Sequence, residues 1–323
     1  MDPALRLAVE LPPVPLRGDT TSALLDPWWE MARAAVAAGA GTVWLTGGSG
    51  AEVPPGADPA CDPCTMAGAA ATQVGSCLVG VVSGLPADRH PAVLARDVTT
   101  LDVVSGGRAA VLLRWTGSGA AHEGAADLPA GLPEACEYLG EALAVCRSVL
   151  QDDDPVFEGR YLHVAGALNR PPPRRPGGPP LLVEVPAGVA GLARREAGPG
   201  LLLRQASSAA SAIVCPDDPG EIASWRDLVA DATAALWTGV YPEQIPPVVC
   251  RTTLRHAWTE PTTRARTGAV ARSRLDAARA AGADGVIVRM PSGRRGDESL
   301  RFEADDAERM GRDLADCFEP WRR

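Results

Sequence analysis

Residues Cys77–Leu113 read CLVGVVSGLPADRHPAVLARDVTTLDVVSGGRAAVLL. Cys77–Ser83 (CLVGVVS) is a short, continuous apolar run, the pattern of a strand buried on both faces. Pro91 suits the first turn of a helix, and Leu94, Val98 and Leu101 then fall on one helical face. Ser105-Gly106-Gly107 breaks that helix, and Arg108–Leu113 (RAAVLL) is a second buried-type strand. A helix joining two such strands is a parallel crossover unit.

The same unit recurs on both sides. Upstream, Leu5–Glu10 (LRLAVE) reads as a first strand. Leu25, Trp28, Ala32, Ala35 and Val36 mark a helix face opened by Asp26-Pro27. Gly39-Ala40-Gly41 leads into a second strand, Thr42–Thr46 (TVWLT), and Asp62-Pro63 opens another helix. Downstream, Ala135, Tyr138, Leu139, Ala142, Leu143, Cys146, Val149 and Leu150 form a long apolar helical stripe. An excursion over residues 152–180 follows. It contains a strand-like YLHVAG and then PPPRRPGGPP, which excludes helix. Leu181–Val185 reads as the fifth strand, Leu201–Arg204 as the sixth, Val248–Thr252 as the seventh and Gly285–Arg289 as the eighth. Ser207–Pro219 reads as a loop after strand six, with Ala212–Cys215 as a stray strand inside it. A last helix carries Ala307, Met310, Leu314, Cys317, Phe318 and Trp321. Eight strand–helix alternations predict a (β/α)8 TIM barrel, class α/β, with an insertion before strand five, as one domain over residues 1–323.

Composition narrows the function. The chain has 323 residues, of which 46% are hydrophobic and 22% charged, enough apolar material for a large core. Its net charge of −9 argues against a general nucleic-acid binder. All 31 basic residues are Arg, so lysine Schiff-base chemistry and a P-loop lysine are excluded. No uninterrupted apolar stretch of membrane-spanning length occurs and the N-terminus lacks a secretory pattern, so a cytoplasmic protein with no membrane partner is expected. Eight scattered cysteines fit a reducing compartment better than a disulfide framework. Cys61-Asp62-Pro63-Cys64 is a lone CxxC, which reads as incidental more readily than as a redox or zinc motif. Four isolated His residues supply no metal-ligand spacing, so no metal site is expected.

Arg89–Arg108 (RHPAVLARDVTTLDVVSGGR) resembles the block that follows the third strand in the bacterial luciferase-like superfamily. Trp44 in TVWLT, the FEGRY of Phe157–Tyr161 with the Pro-rich chain up to Pro179-Pro180-Leu181, and the closing DLADCFEPWRR are similar to further superfamily segments, in the same order. The resemblance implies a (β/α)8 barrel with an insertion, binding FMN or the deazaflavin coenzyme F420, that works as a monooxygenase or hydride-transfer oxidoreductase. It also implies a ring lying over the C-terminal strand ends against a bulge with a non-prolyl cis peptide after strand three, and a homodimer. Two positions depart from it. Gly47-Gly48 stands where hydride-transferring members usually carry Asp-His, and Leu113-Arg114-Trp115-Thr116 replaces a Gly-rich run beside the ring. The alternative is a barrel that has lost flavin chemistry and serves as a binding protein, a partner protein or a redox-neutral enzyme.

Barrel sites form at the C-terminal strand ends. The ends here give Glu10; Thr46, Gly47 and Gly48; Val81, Val82 and Ser83; Arg114 and Trp115; Glu184 and Val185; Arg204 and Gln205; Arg251; and Arg289. Thr46, Gly47, Val81, Val82, Ser83, Arg114 and Trp115 are the candidate cofactor contacts. The Arg114-Trp115 pair could fill the ring slot or stack on another ligand. Ala187 and Gly188, after strand five, could offer backbone N–H groups to a phosphate at a helix start. Four Arg at one mouth could hold a phosphate or carboxylate, or could pair with Glu10 and Glu184 as structural ion networks. His122 and His256 are the general acid/base candidates, with solvent-exposed loop histidines as the alternative. Glu10 and Glu184 are the carboxylate candidates, with burial raising their pKa and neighbouring Arg opposing that.

Overall fold

A computed structural model describes residues 2–13, 25–47, 60–86, 89–117, 129–236, 245–253, 272–290 and 304–322. The strands are β1 (Leu7–Glu10), β2 (Thr42–Thr46), β3 (Leu78–Leu85), β4 (Ala109–Trp115), β5 (Val156–Glu158), β6 (His163–Ala165), β7 (Leu181–Glu184), β8 (Ala212–Pro216), β9 (Val248–Thr253) and β10 (Gly285–Arg289). The helices are α1 (Asp26–Ala37), α2 (Pro63–Gln73), α3 (Pro91–Ser105), α4 (Leu132–Gln151), α5 (Ala197–Ala209), α6 (Pro219–Leu236), α7 (272–280) and α8 (Ala304–Phe318). Eight strands close into a parallel barrel in the order β1-β10-β9-β8-β7-β4-β3-β2. The expected insertion lies between α4 and β7, where β5 and β6 form a small antiparallel hairpin.

Alternation along each strand divides the core in two. Ala8, Trp44, Val82, Ala110, Leu112, Leu182, Val214, Val249 and Ile287 fill the barrel interior. The other face of each strand packs against the helix ring, with Val43, Val81, Leu113, Val183 and Val288 meeting residues such as Leu94, Val98, Leu139 and Phe318. Trp44 is fully buried and lies against β3, where a Cβ on Gly80 would come within 2.1 Å of the indole. Only glycine permits that approach.

The SGGR block is a structural corner. Gly106 ends α3 in the left-handed region at φ 76°, where residues other than glycine are disfavoured. The Arg108 guanidinium donates to the carbonyls of Ala71, Val74, Cys77 and Ser105 at 2.7 to 3.2 Å. One side chain thereby satisfies the open end of α2 and the chain entering β3. Asp62 caps α2 by accepting from the Thr65 N–H at 2.8 Å, and His90 Nδ1 accepts from the Ala92 N–H at the start of α3.

Two readings of the sequence need correction. Leu201–Arg204 is not the sixth strand but the middle of α5. The sixth barrel strand is β8, the segment read as a stray strand, so Ser207–Pro219 is no loop: it holds the end of α5, β8 and the entry to α6. Arg204 and Gln205 therefore leave the barrel mouth. The reason is that LLLR is as compatible with a buried helix as with a strand, whereas Ile213 and Val214 carry the β-branched signal. Among the described residues β3 shows none of the bulge implied after strand three, since it pairs with β4 in unbroken register from Val79↔Ala109 to Leu85↔Trp115. The cis peptides of the described chain are both prolyl, Leu85–Pro86 and Arg170–Pro171.

Candidate functional site

The inward positions turn from apolar to charged at the C-terminal ends of five strands. β1 supplies Glu10, β4 Arg114, β7 Glu184, β9 Arg251 and β10 Arg289. Arg114 reaches across the bore: its Nη1 and Nη2 donate to Glu10 Oε1 and Oε2 at 2.9 and 2.7 Å. Its Nε donates to Glu184 Oε2 on the adjacent strand at 2.7 Å. Arg251 Nη2 pairs with Glu184 Oε1 at 2.7 Å, and its Nη1 lies 3.8 Å from Glu10 Oε2. Arg289 Nε stands 3.4 Å from Glu10 Oε1. Glu10 is fully buried and Arg114 nearly so. The structural-network alternative therefore describes Arg114, Glu10 and Glu184, and these groups form a charged floor under the mouth.

Burial alone would raise the Glu10 pKa, but Arg114, then Arg251 and Arg289, outweigh it and hold the carboxyl at about 2. Glu10 is thus a fixed negative charge with no proton to exchange near neutral pH. Its bidentate fork on Arg114 orients both groups.

The cofactor candidates divide by strand face. Val82 lines the barrel interior, and Thr46 and Gly84 share the inward face by alternation from Trp44 and Val82. Val81 packs on the helix side, and so by alternation does Ser83. The Ser83 hydroxyl is buried without a hydrogen-bond partner among the described residues. Trp115 also faces outward, 6.0 Å from the Tyr138 ring, which in turn lies 5.8 Å from Tyr161. Of the Arg114-Trp115 pair, only Arg114 enters the mouth. Gly47 sits at the rim, where a Cβ would come within 3.1 Å of Pro63 at the start of α2.

The expected phosphate cradle is altered in two ways. No helix starts at Ala187 or Gly188, since α5 begins at Ala197. The Gly188 N–H already donates to Glu221 Oε1 at 3.0 Å, while Glu221 Oε2 is buried without a hydrogen-bond partner among the described residues. Glu221 was not anticipated from sequence. Its signal was present in Asp218-Pro219-Gly220-Glu221, an acidic residue three positions after a capping Asp, and the Glu221 N–H does donate to Asp218 Oδ1 at 2.9 Å. It was hidden by the misplaced sixth strand. His122 and His256 lie outside the described residues.

A flavin or deazaflavin fits one part of this mouth and not another. Thr46, Val82 and Gly84 keep the β2–β3 wall small, which suits a flat ring. Gly188 offers nothing to a phosphate while Glu221 holds its N–H. Among the described residues no cluster of His, Cys, Asp and Glu could hold a metal ion. No helix among them is long and apolar enough to cross a membrane. All eight cysteines are free.

The family model described as luciferase-like monooxygenase matches residues 11–212. No curated protein matches the chain. Among solved structures, the monooxygenase RslO1 from Streptomyces bottropensis is 17% identical, with 99% of this chain and 100% of that one covered at a TM-score of 0.68. An F420-dependent secondary alcohol dehydrogenase in complex with an F420–acetone adduct is 14% identical over 94% of this chain and 99% of that one, at 0.62. The coenzyme F420-dependent tetrahydromethanopterin reductase from Methanopyrus kandleri is 13% identical over 98% and 99%, at 0.61.

Proposed function

The chain belongs to the luciferase-like monooxygenase family, and from that premise we propose that it is a flavin- or deazaflavin-dependent oxidoreductase acting on a small organic substrate. One observation carries the reading: the barrel keeps a polar mouth at its C-terminal strand ends with small inward residues on β2 and β3. The bound ring would supply a two-electron carrier. Thr46, Val82 and Gly84 would form the wall against which it lies. The floor of Glu10, Arg114 and Glu184 closes the bore beneath and limits the approach of water from below. Its buried groups are already hydrogen-bonded to one another, so the floor is set before a ligand arrives, and a preset site loses little freedom on binding.

A second reading, a barrel that binds without flavin chemistry, is favoured by the occupied Gly188 N–H. Titration with FMN and with F420, followed by absorbance and fluorescence, separates the two. The oxidoreductase reading expects at least one cofactor to bind more tightly than a Kd of about 1 mM, roughly −4 kcal/mol. Failure of both cofactors to reach that affinity overturns it in favour of the second reading.

A further inference from the structure

Aromatic side chains form a series that leads away from the mouth. Trp115 ends β4, one residue after Arg114 of the floor, and is half-buried on the outer side of the strand. Its ring centroid lies 6.0 Å from that of Tyr138 on α4, with the planes tilted by 59°. The Tyr138 centroid lies 5.8 Å from that of Tyr161, with a tilt of 54°. Both spacings are those of packed aromatic pairs. Tyr138 is buried, at 6% exposure, whereas Tyr161 is half-buried in the turn between β5 and β6. That turn is fixed, because Glu141 accepts the N–H groups of Arg160, Tyr161 and Leu162. The series therefore runs from the rim of the barrel, through one buried ring, to a ring that meets solvent.

Trp and Tyr stand with Cys and Met as the side chains most readily oxidised. Electron tunnelling falls steeply with distance, so a long transfer is fast only when it is split into short hops between oxidisable rings. The proton gives the series a direction. Burial, with Glu141 adding to it, pushes the Tyr138 phenol up to about 12. Burial also raises the Tyr161 phenol, but the Arg160 guanidinium, 4.9 Å from the ring centroid, opposes it. Tyr138 is thus the poorer place for an electron vacancy to rest. Tyr161, which can release its proton to water, is the better one.

We infer that Trp115, Tyr138 and Tyr161 form an electron path that discharges stray oxygen-centred radicals from the mouth to the surface. This rests on the reading of the mouth as a redox pocket, where reaction with dioxygen would produce such oxidants. The oxidant takes one electron from Trp115 and one proton from solvent, and becomes water or an alcohol. The vacancy moves to Tyr138 and then to Tyr161, whose phenolic proton leaves to solvent. A dissolved thiol donates a hydrogen atom to the Tyr161 phenoxyl radical and restores the phenol, and two thiyl radicals combine as a disulfide. Without the path the vacancy would stay on Trp115, next to the residue that anchors the floor, and damage the rim.

Pulse radiolysis of the full chain with azide radicals tests this, because azide radicals oxidise indole in preference to phenol. The wild type should show an indole radical whose decay is matched by the rise of a phenoxyl radical, at a rate independent of protein concentration. The chain has three tyrosines, so Tyr241 is the one phenol outside the series. Tyr138→Phe keeps a ring in the packing but removes the oxidisable step, and should slow the rise several-fold. Trp115→Phe should do the same, and each variant gives a reading should the other fail to fold. Spin trapping with peptide mapping should place the adduct on Tyr161 in the wild type, and Tyr138→Phe should increase oxidised Trp115 several-fold. No phenoxyl rise, a rise that either folded variant leaves unchanged, or no adduct on Tyr161 would each overturn the inference. FMN and F420 titrations on the same samples keep the two claims apart. Cofactor binding with rates unchanged in the variants removes only the electron path. A path in a chain that binds neither cofactor removes only the oxidoreductase reading.

Discussion

Burial alone would push the Glu10 carboxyl up, and its arginine neighbours reverse the sign. The consequence is a pH-dependent stability term. A carboxyl whose folded pKa lies below its unfolded value contributes stability that is complete above the unfolded pKa and disappears as pH falls through the folded one. With the Glu10 pKa taken from 4.5 to about 2, the window is roughly pH 4.5 down to 2, and the term is worth about 3 kcal/mol. Urea unfolding of the wild type should weaken across that window, and Glu10→Gln should lose this part of the slope. Arg114→Met should cost more at neutral pH, about 3–5 kcal/mol, because it strands a buried carboxylate. Combined with Glu10→Leu it should recover most of that loss, a non-additivity that a double-mutant cycle measures. Sequence placed Glu10, Arg114, Glu184, Arg251 and Arg289 at the mouth correctly, because strand ends follow from strand assignment. It could not tell pairing from ligand binding, since that depends on which side chains cross the bore.

At the scale of elements, the β5–β6 hairpin turn is held by the carboxylate of Glu141, and the chain beyond it by that of Asp102. Glu141 is buried on α4 beside the apolar stripe and accepts the backbone N–H groups of Arg160, Tyr161 and Leu162 at 2.7 to 2.9 Å. Asp102 on α3 accepts the Arg175 N–H at 3.0 Å farther along the same excursion. The hairpin strands have three residues each and few buried side chains, so they depend on these anchors. Glu141→Ala should free the excursion, and limited proteolysis within residues 152–180 should accelerate several-fold. The barrel's own unfolding should shift by only about 1–3 kcal/mol, the range for buried polar groups left unsatisfied. The stripe on α4 was legible from its period, but Glu141 interrupts no apolar position and gives no signal of what it binds. The same limit explains the sixth strand. The apolar run in α5 is short enough to satisfy both periods, and only the neighbouring Ala-rich segment, a strong helix former, separates the two.

For the whole molecule, closure is the property that the eight alternations implied and the sheet order bears out. It depends on the ends of the described chain meeting. β1 pairs with β10 from Leu7↔Val286 to Glu10↔Arg289, so the last ladder step joins two members of the charged floor. Outside that seam, α8 packs against α1: a Cβ on Gly311 would lie 3.5 Å from the Ala34 carbonyl, and the Arg322 guanidinium donates to the Ala38 carbonyl at 2.6 Å. Met310, Leu314 and Phe318 on α8 are fully buried. Phe318→Ala should therefore cost about 3–5 kcal/mol, a large share of a typical domain's 5–15 kcal/mol. Because the seam carries Glu10 and Arg289, loosening it should also disturb the mouth. Near-ultraviolet circular dichroism and ligand titration should then report loss of the site in Phe318→Ala at urea concentrations where far-ultraviolet circular dichroism still reports folded helices. If both signals fall together at one midpoint, the seam is no weaker than the rest of the barrel and the site is lost only by global unfolding.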